Sequence, residues 1–322
     1  MATCVMCGQS AVPELELALA DGIRHYQCPP PEVTFHPERV CSRHKRVAPT
    51  CDECQHRHYR IDGQPQVNGQ DIVSVTTMTR EVGNVFGSAA WYGQRVGVEG
   101  VLTLDATIPA PLPEDPDEVV ELLKAHRLTT NHVRDDASDR GTDVHAIAEE
   151  WARTGETPNP LDYLSHLQPY VEAFCSFLEV EQPEPLEVEE PVGSRAYAYA
   201  GTPDLVAFLP RLERALGLFD YKSKRKAPPR CKRCEGHGGP CCNGTGRRKS
   251  KAYVQHHFQV RMYEDARIEM GGRPSDFQAI VHLYPDGTYS LIQGVATAAH
   301  TPAVVAAYRA VSDVESLIGG GT

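Results

Sequence analysis

Four short stretches carry residue types that do metal and acid–base chemistry. In Arg140-Gly141-Thr142-Asp143-Val144-His145, His145 sits about 100° around a helix from the apolar Val144 stripe, where an imidazole reaches a cleft edge. Such a lone histidine is more often structural, so it decides nothing by itself. In Gly201-Thr202-Pro203-Asp204-Leu205-Val206-Ala207-Phe208, Asp204 is the one charge at the head of an apolar strand. A carboxylate there is costly unless paired or metal-bound, the plainer reading being a turn residue. In Leu218-Phe219-Asp220-Tyr221-Lys222, the two-residue period puts Asp220 and Lys222 on one strand face. Together they can hold a divalent cation and orient a water, the ammonium meeting charge that develops on a phosphorane; the plainer reading is a same-strand ion pair. Gln255, Gln259 and Tyr263 recur at four-residue spacing along one helix face.

Cysteine spacing suggests a second kind of metal. Of eleven cysteines, ten fall into two clusters. The first holds Cys4, Cys7, Cys28, Cys41, His44, Cys51 and Cys54, with His25, His36, His56 and His58 as spares, enough for one or two structural zinc ions. The second is Cys231-x2-Cys234 followed by Cys241-Cys242, a set for one zinc in which His237 can replace either of the adjacent pair. Cys175 reads as a small core residue. Around the second cluster, residues 222–251 hold eleven Lys and Arg against Glu235, a local net of +10 within a chain of net charge −11. Such an island on an acidic body marks a polyanion contact, with Lys224, Arg225, Lys226, Arg230, Arg247, Arg248, Lys249 and Lys251 as DNA-binding candidates; a solvated loop is the bland alternative.

These side chains need elements to position them. Residues 1–62 read as a loop-rich, zinc-stapled module and 63–322 as the main domain, with 227–249 a zinc-bearing insert. A β-like run over 72–77 leads into an ambiguous helical stretch, and a short helix covers about 119–126. Val144, Ile147, Ala148 and Trp151 predict a helix over 140–154 stopped by Gly155, and a second helix spans about 161–180. Strands are expected near 187–193, 196–200, 203–209 and 216–222, then a helix over 250–270, a hairpin around Asp286-Gly287, and a last helix over 302–317.

Taken in chain order, G-x-x-x-H, G-x-P-D, D-x-K and Q-x-x-x-Y resemble the RecB-type branch of the PD-(D/E)XK nuclease superfamily, closest to stand-alone phage exonucleases related to CRISPR-associated nucleases. Ser74-Val75-Thr76-Thr77 is similar to the start of that phage family. The resemblance implies an α/β fold with a restriction-endonuclease-like mixed sheet flanked by helices. It implies Mg²⁺- or Mn²⁺-dependent hydrolysis of DNA phosphodiesters by an exonuclease of recombination, repair or phage DNA processing. His145, Asp204 and Asp220 would bind the metal with the backbone carbonyl of Tyr221; Lys222 would activate water; Gln259 and Tyr263 would support the site and contact DNA. Glu190 is a further acid, with Glu187 and Glu189 as rivals. Cys231-Lys232-Arg233-Cys234-Glu235-Gly236-His237-Gly238 resembles a DnaJ-type zinc knuckle. No cysteine follows Cys242, against the iron–sulfur cluster of some relatives, and no phosphate-binding G-x-x-x-x-G-K-[ST] motif is present, so any helicase or recombinase partner is a separate chain.

Composition frames these readings. Hydrophobic residues at 41% and charged residues at 23% fit an ordinary globular chain, and no stretch nears the roughly 20 apolar residues of a membrane helix. With no basic-then-apolar leader pattern at the N-terminus, the expected setting is the cytoplasm, where thiols stay reduced, and the resemblance implies that of a bacterial or phage-infected cell. The rival from another class is a non-catalytic zinc-containing nucleic-acid adaptor; a chaperone-like zinc protein is weaker, because no His-Pro-Asp tripeptide is present.

Overall fold

The computed structural model describes residues 16–19, 22–25, 33–35, 59–64, 66–85, 88–107, 111–234 and 247–319. The candidate zinc ligands Cys4, Cys7, Cys28, Cys41, His44, Cys51, Cys54, Cys241 and Cys242 lie outside the described residues.

In chain order the elements begin with short strands: β1 (Glu16–Leu19), β2 (Gly22–His25), β3 (Val33–Phe35), β4 (Tyr59–Ile61), β5 (Gln66–Val67), β6 (Gln70–Asp71) and β7 (Val73–Ser74). Helices follow: α1 (Val75–Val85), α2 (Ser88–Thr107), α3 (Pro116–Ala125), α4 (Thr130–Thr154) and α5 (Gln168–Glu181). Then come β8 (Glu184–Val188), β9 (Val192–Ser194), β10 (Tyr199–Gly201), β11 (Leu205–Leu209) and β12 (Ala215–Ser223). The chain closes with α6 (Val254–Glu269), β13 (Phe277–Leu283), β14 (Tyr289–Gln293) and α7 (His300–Gly319).

A five-stranded mixed sheet of order β14-β13-β12-β11-β8 organises the molecule. β12 and β13 run parallel, with α6 in the crossover between them, while the other neighbours are antiparallel. Alternation along each strand gives both faces an apolar set, as a sheet covered on both sides requires. One face, with Leu205, Ala207, Phe219, Tyr221 and Val281, packs against Val144, Ile147 and Trp151 of α4 and Tyr170, Phe174 and Phe177 of α5. The other, with Val206, Leu216, Leu218 and Ile280, packs against Val75 and Met78 of α1, Val260 and Met262 of α6, and Val304 of α7. The result is helix–sheet–helix layering, an α/β fold. No described helix is long and apolar enough to cross a membrane.

Several boundaries differ from the sequence reading for local reasons. The run 72–77 is strand only to Ser74, whose Oγ accepts the Thr77 N–H at 3.1 Å and so opens α1 as an N-cap. The expected strand 187–193 is two strands in different sheets, because Glu189 adopts a left-handed φ of 51°. The helix expected over 140–154 starts at Thr130, capped by Thr129, and ends where Gly155 takes φ 76°. The 62/63 boundary crosses real packing. Tyr59 and Ile61 are buried with Ile72 and Ala200, the Tyr59 hydroxyl lies 3.1 Å from Thr202 Oγ1, and Arg195 makes two bonds to the Asp62 carboxylate.

Candidate active site

The Gly201-Thr202-Pro203 turn between β10 and β11 delivers Asp204 to the head of β11, where it is 8% exposed. One carboxylate oxygen accepts the Tyr221 N–H of the neighbouring strand at 2.6 Å, and the other lies 2.9 Å from His145 Nδ1. Burial pushes the Asp204 carboxyl up, but His145, Lys222 and the Tyr221 N–H outweigh it and hold the group below the usual carboxylate range. For His145, burial disfavours the imidazolium, yet the Asp204 carboxylate raises its pKa on balance. The imidazole is 29% exposed, at the border of α4's buried face as the sequence predicts.

Glu189 completes this corner. Its N–H bonds the Asp204 carbonyl at 3.3 Å, and ligand atoms of His145, Glu189 and Asp204 all lie within 4.8 Å of one another. One imidazole nitrogen and carboxylate oxygens so disposed can hold a metal ion. Glu190, the acid favoured from sequence, is instead exposed, and Glu187 is occupied by a two-pronged pair with Arg267 at 2.7 Å. Glu189 is therefore the acid the fold brings to this corner.

One strand over, Asp220 is 1% exposed on the face opposite Phe219 and Tyr221. Its Oδ1 accepts from Gln259 Nε2 at 3.0 Å, and its Oδ2 meets Lys222 Nζ at 2.5 Å. That Oδ2 makes no aligned hydrogen bond among the described residues. Burial raises the Asp220 pKa, and nearby Asp204 adds to this against the pull of Lys222. Gln259 Nε2 also donates to the Tyr263 hydroxyl at 2.9 Å, which lies 3.4 Å from Thr76 Oγ1. Thus α4, the β10–β11 turn, β12 and α6 bring His145, Asp204, Asp220, Lys222, Gln259 and Tyr263 to one end of β12. Tyr221 contributes its amide there, while its ring packs against Phe174 and Phe177 on the other face. Among the residues not singled out by type, Thr76 joins the set through the Ser74-Val75-Thr76-Thr77 segment.

No protein-family model and no curated protein matches the chain.

The described ends of the basic segment, residues 222–234 and 247–251, make specific contacts. Arg225 and Lys226 pair with Glu99 of α2 at 3.4 and 2.9 Å, and Arg247 pairs with Asp286 in the β13–β14 turn. Arg230 and Arg247 form an antiparallel bridge at the base of the insert, beside buried Cys231 and half-buried Cys234. Arg248 donates its N–H to the Pro229 carbonyl, and its side chain, like those of Lys249 and Lys251, is exposed. Lys224 Nζ sits 4.3 Å from the centre of the Tyr253 ring.

Proposed function

We propose that the chain is a divalent-metal-dependent DNA nuclease of the PD-(D/E)XK type, acting as an exonuclease. The observation that carries this reading is the meeting of Asp204 and the Gln259-held, Lys222-paired Asp220 at one end of a buried parallel strand, with His145 bonded to the first. Each comes from a different segment of the sequence motif order. Two buried carboxylates beside an imidazole fit a hard divalent cation, Mg²⁺ or Mn²⁺, which would be held by His145, Asp204, Glu189 and Asp220. The Tyr221 carbonyl belongs to the same proposal. When bound, such an ion supplies Lewis acidity on the scissile phosphate and lowers the pKa of water.

The chain's own groups do the rest. His145 and the Tyr221 N–H keep Asp204 ionised and fixed. Gln259 fixes Asp220, and Asp220 holds the Lys222 ammonium at the site. From there Lys222 orients the attacking water and offsets charge as the new P–O bond forms and the bond to the leaving sugar oxygen breaks. The basic segment holds the DNA backbone, and zinc at the cysteine clusters shapes the insert and the N-terminal module. Recombination, repair or phage DNA processing, with a helicase or recombinase as a separate chain, is the setting this chemistry suits.

The test is degradation of end-labelled single- and double-stranded DNA with Mg²⁺, Mn²⁺ or EDTA. We expect metal-dependent cleavage that falls at least about 10²-fold in Lys222→Ala, the scale of losing one transition-state charge partner. The adaptor reading draws on the 2.5 Å Lys222–Asp220 ion pair, which would be purely structural there. It predicts DNA binding without turnover in both proteins.

A further inference from the structure

Arg140 of α4 has two acids of its own helix at pairing spacing and pairs with neither. Asp136 stands four residues before it and Asp143 three after, where a helical arginine ordinarily finds a carboxylate. Asp136 instead takes Arg127 at 2.8 Å, and Arg140 turns toward the end of β12. There its Nε–H donates to Ser223 Oγ at 3.4 Å, and its guanidinium carbon lies 5.1 Å from the centre of the Tyr170 ring, within cation–π range. That ring is buried and is itself pinned, its hydroxyl donating to the Lys224 carbonyl at 3.1 Å. One edge and one face of the guanidinium are thus held. Neither Nη has a hydrogen-bond or carboxylate partner among the described residues, and the residue is half-buried rather than enclosed. A planar fork fixed in this way, with its two Nη groups left over, matches the oxygens of a phosphate.

Its place in the fold says which phosphate. Ser223 follows Lys222 on β12, and strand alternation turns Ser223 to the α4 side with Tyr221 and Lys222 to the α6 side with Asp220. Arg140 and Lys222 therefore reach the same strand end from opposite faces of the sheet. His145, five residues beyond Arg140 on α4, meets Asp204 at that end as well. Lys222 is paired there with Asp220, and Arg225 and Lys226 with Glu99, whereas Arg140 has no acid among the described residues to offset its charge.

We propose that Arg140, set in place by Tyr170 and Ser223, grips with its two Nη groups the DNA backbone phosphate adjoining the one at Lys222. The proposal rests on the nuclease reading for the phosphate at Lys222, but the contact of Arg140 with DNA is testable without it.

The experiment is binding of a labelled single-stranded oligothymidylate to the full chain in EDTA across a salt series, beside cleavage in Mg²⁺ and Mn²⁺. Arg140→Met is expected to weaken binding and to lower the slope of log K against log salt by about 0.7–1, one phosphate contact. Arg140→Lys should keep the wild-type slope yet bind several-fold more weakly, since an ammonium cannot copy the fork. Lys124→Met on α3, whose ammonium is exposed and paired with Glu121, should change neither. A lowered slope in Arg140→Met supports the contact even where no preparation cleaves DNA, the result that would sink the nuclease reading alone. A wild-type slope in Arg140→Met overturns the contact, whether or not cleavage is seen. Should Arg140→Met fail to fold, Arg140→Lys decides: affinity equal to wild type overturns the two-pronged grip.

Discussion

At the end of β8 the chain passes through left-handed Glu189 (φ 51°), and this torsion selects which carboxylate stands beside Asp204. A residue with a Cβ adopts that region at a cost of roughly 1–2 kcal/mol, and such strain gathers where function holds it. On the nuclease reading, Glu189→Gln should raise the Mn²⁺ concentration needed for half-maximal cleavage by at least about 10-fold, whereas Glu190→Gln should leave it within about twofold. Equal effects in a metal titration of the two variants would show that Glu189 is not a ligand. The sequence narrows the acid to three glutamates and puts Glu190 first, because an extended strand through 187–193 leaves the break at 189 invisible. By contrast, Asp220 and Lys222 were legible as a same-face pair, since strand alternation alone settles that and Phe219 and Tyr221 mark the opposite face. Pairing of Gln259 with Asp220 follows from the meeting of α6 and β12, a contact no local pattern encodes.

Close approach of elements sets the next constraint. A Cβ on Gly201, at the end of β10, would lie 2.3 Å from Tyr263 Cε1 and 3.2 Å from Val75 Cβ. This glycine is thus needed for α6 to bring Tyr263 against the small β7-β10-β9 sheet, and through Tyr263 to seat Gln259 and Thr76. Gly201→Ala should cost about 1–3 kcal/mol by overpacking and lower the unfolding temperature by several degrees, with slower cleavage, on the nuclease reading, as Gln259 loses its seat. An unchanged melting curve would mean that α6 moves back without loss, contrary to the packing seen. Element types were largely readable: α4 and α5 carry helical periodicity, and the hairpin turns at Gly287 with φ 75°. The error at 72–77 is instructive. Val75, Thr76 and Thr77 have strand propensity, yet the Ser74 cap and burial of Val75, Met78 and Val82 at helical spacing outweigh it.

Across the whole molecule, charge links the candidate site to stability. The protein is acidic overall, but the groups acting on His282 are the nearby Lys224 and Lys222 ammonium groups and His257. Burial first, then these cations, pushes the His282 pKa down to about 3. The unfolded chain takes up a proton there below about pH 6.5 that the folded chain refuses until about pH 3. Stability from this group is therefore complete above the unfolded value and lost as pH falls, at about 1.4 kcal/mol per pH unit. His256, also held well below its ordinary value, acts in the same direction. His145, raised by Asp204, acts in the opposite one, its contribution being lost as pH rises. Asp204, held low, adds its loss only nearer the carboxylate range. The urea midpoint of the wild-type chain should thus fall steadily between about pH 6.5 and about pH 4.5, before carboxylates protonate. His282→Asn, which can keep the bond to Ser250 Oγ but cannot titrate, should be less stable at neutral pH yet flatten the slope by about one proton. Parallel pH slopes for the two proteins would show that His282 takes up its proton over the same pH range in the folded and the unfolded chain.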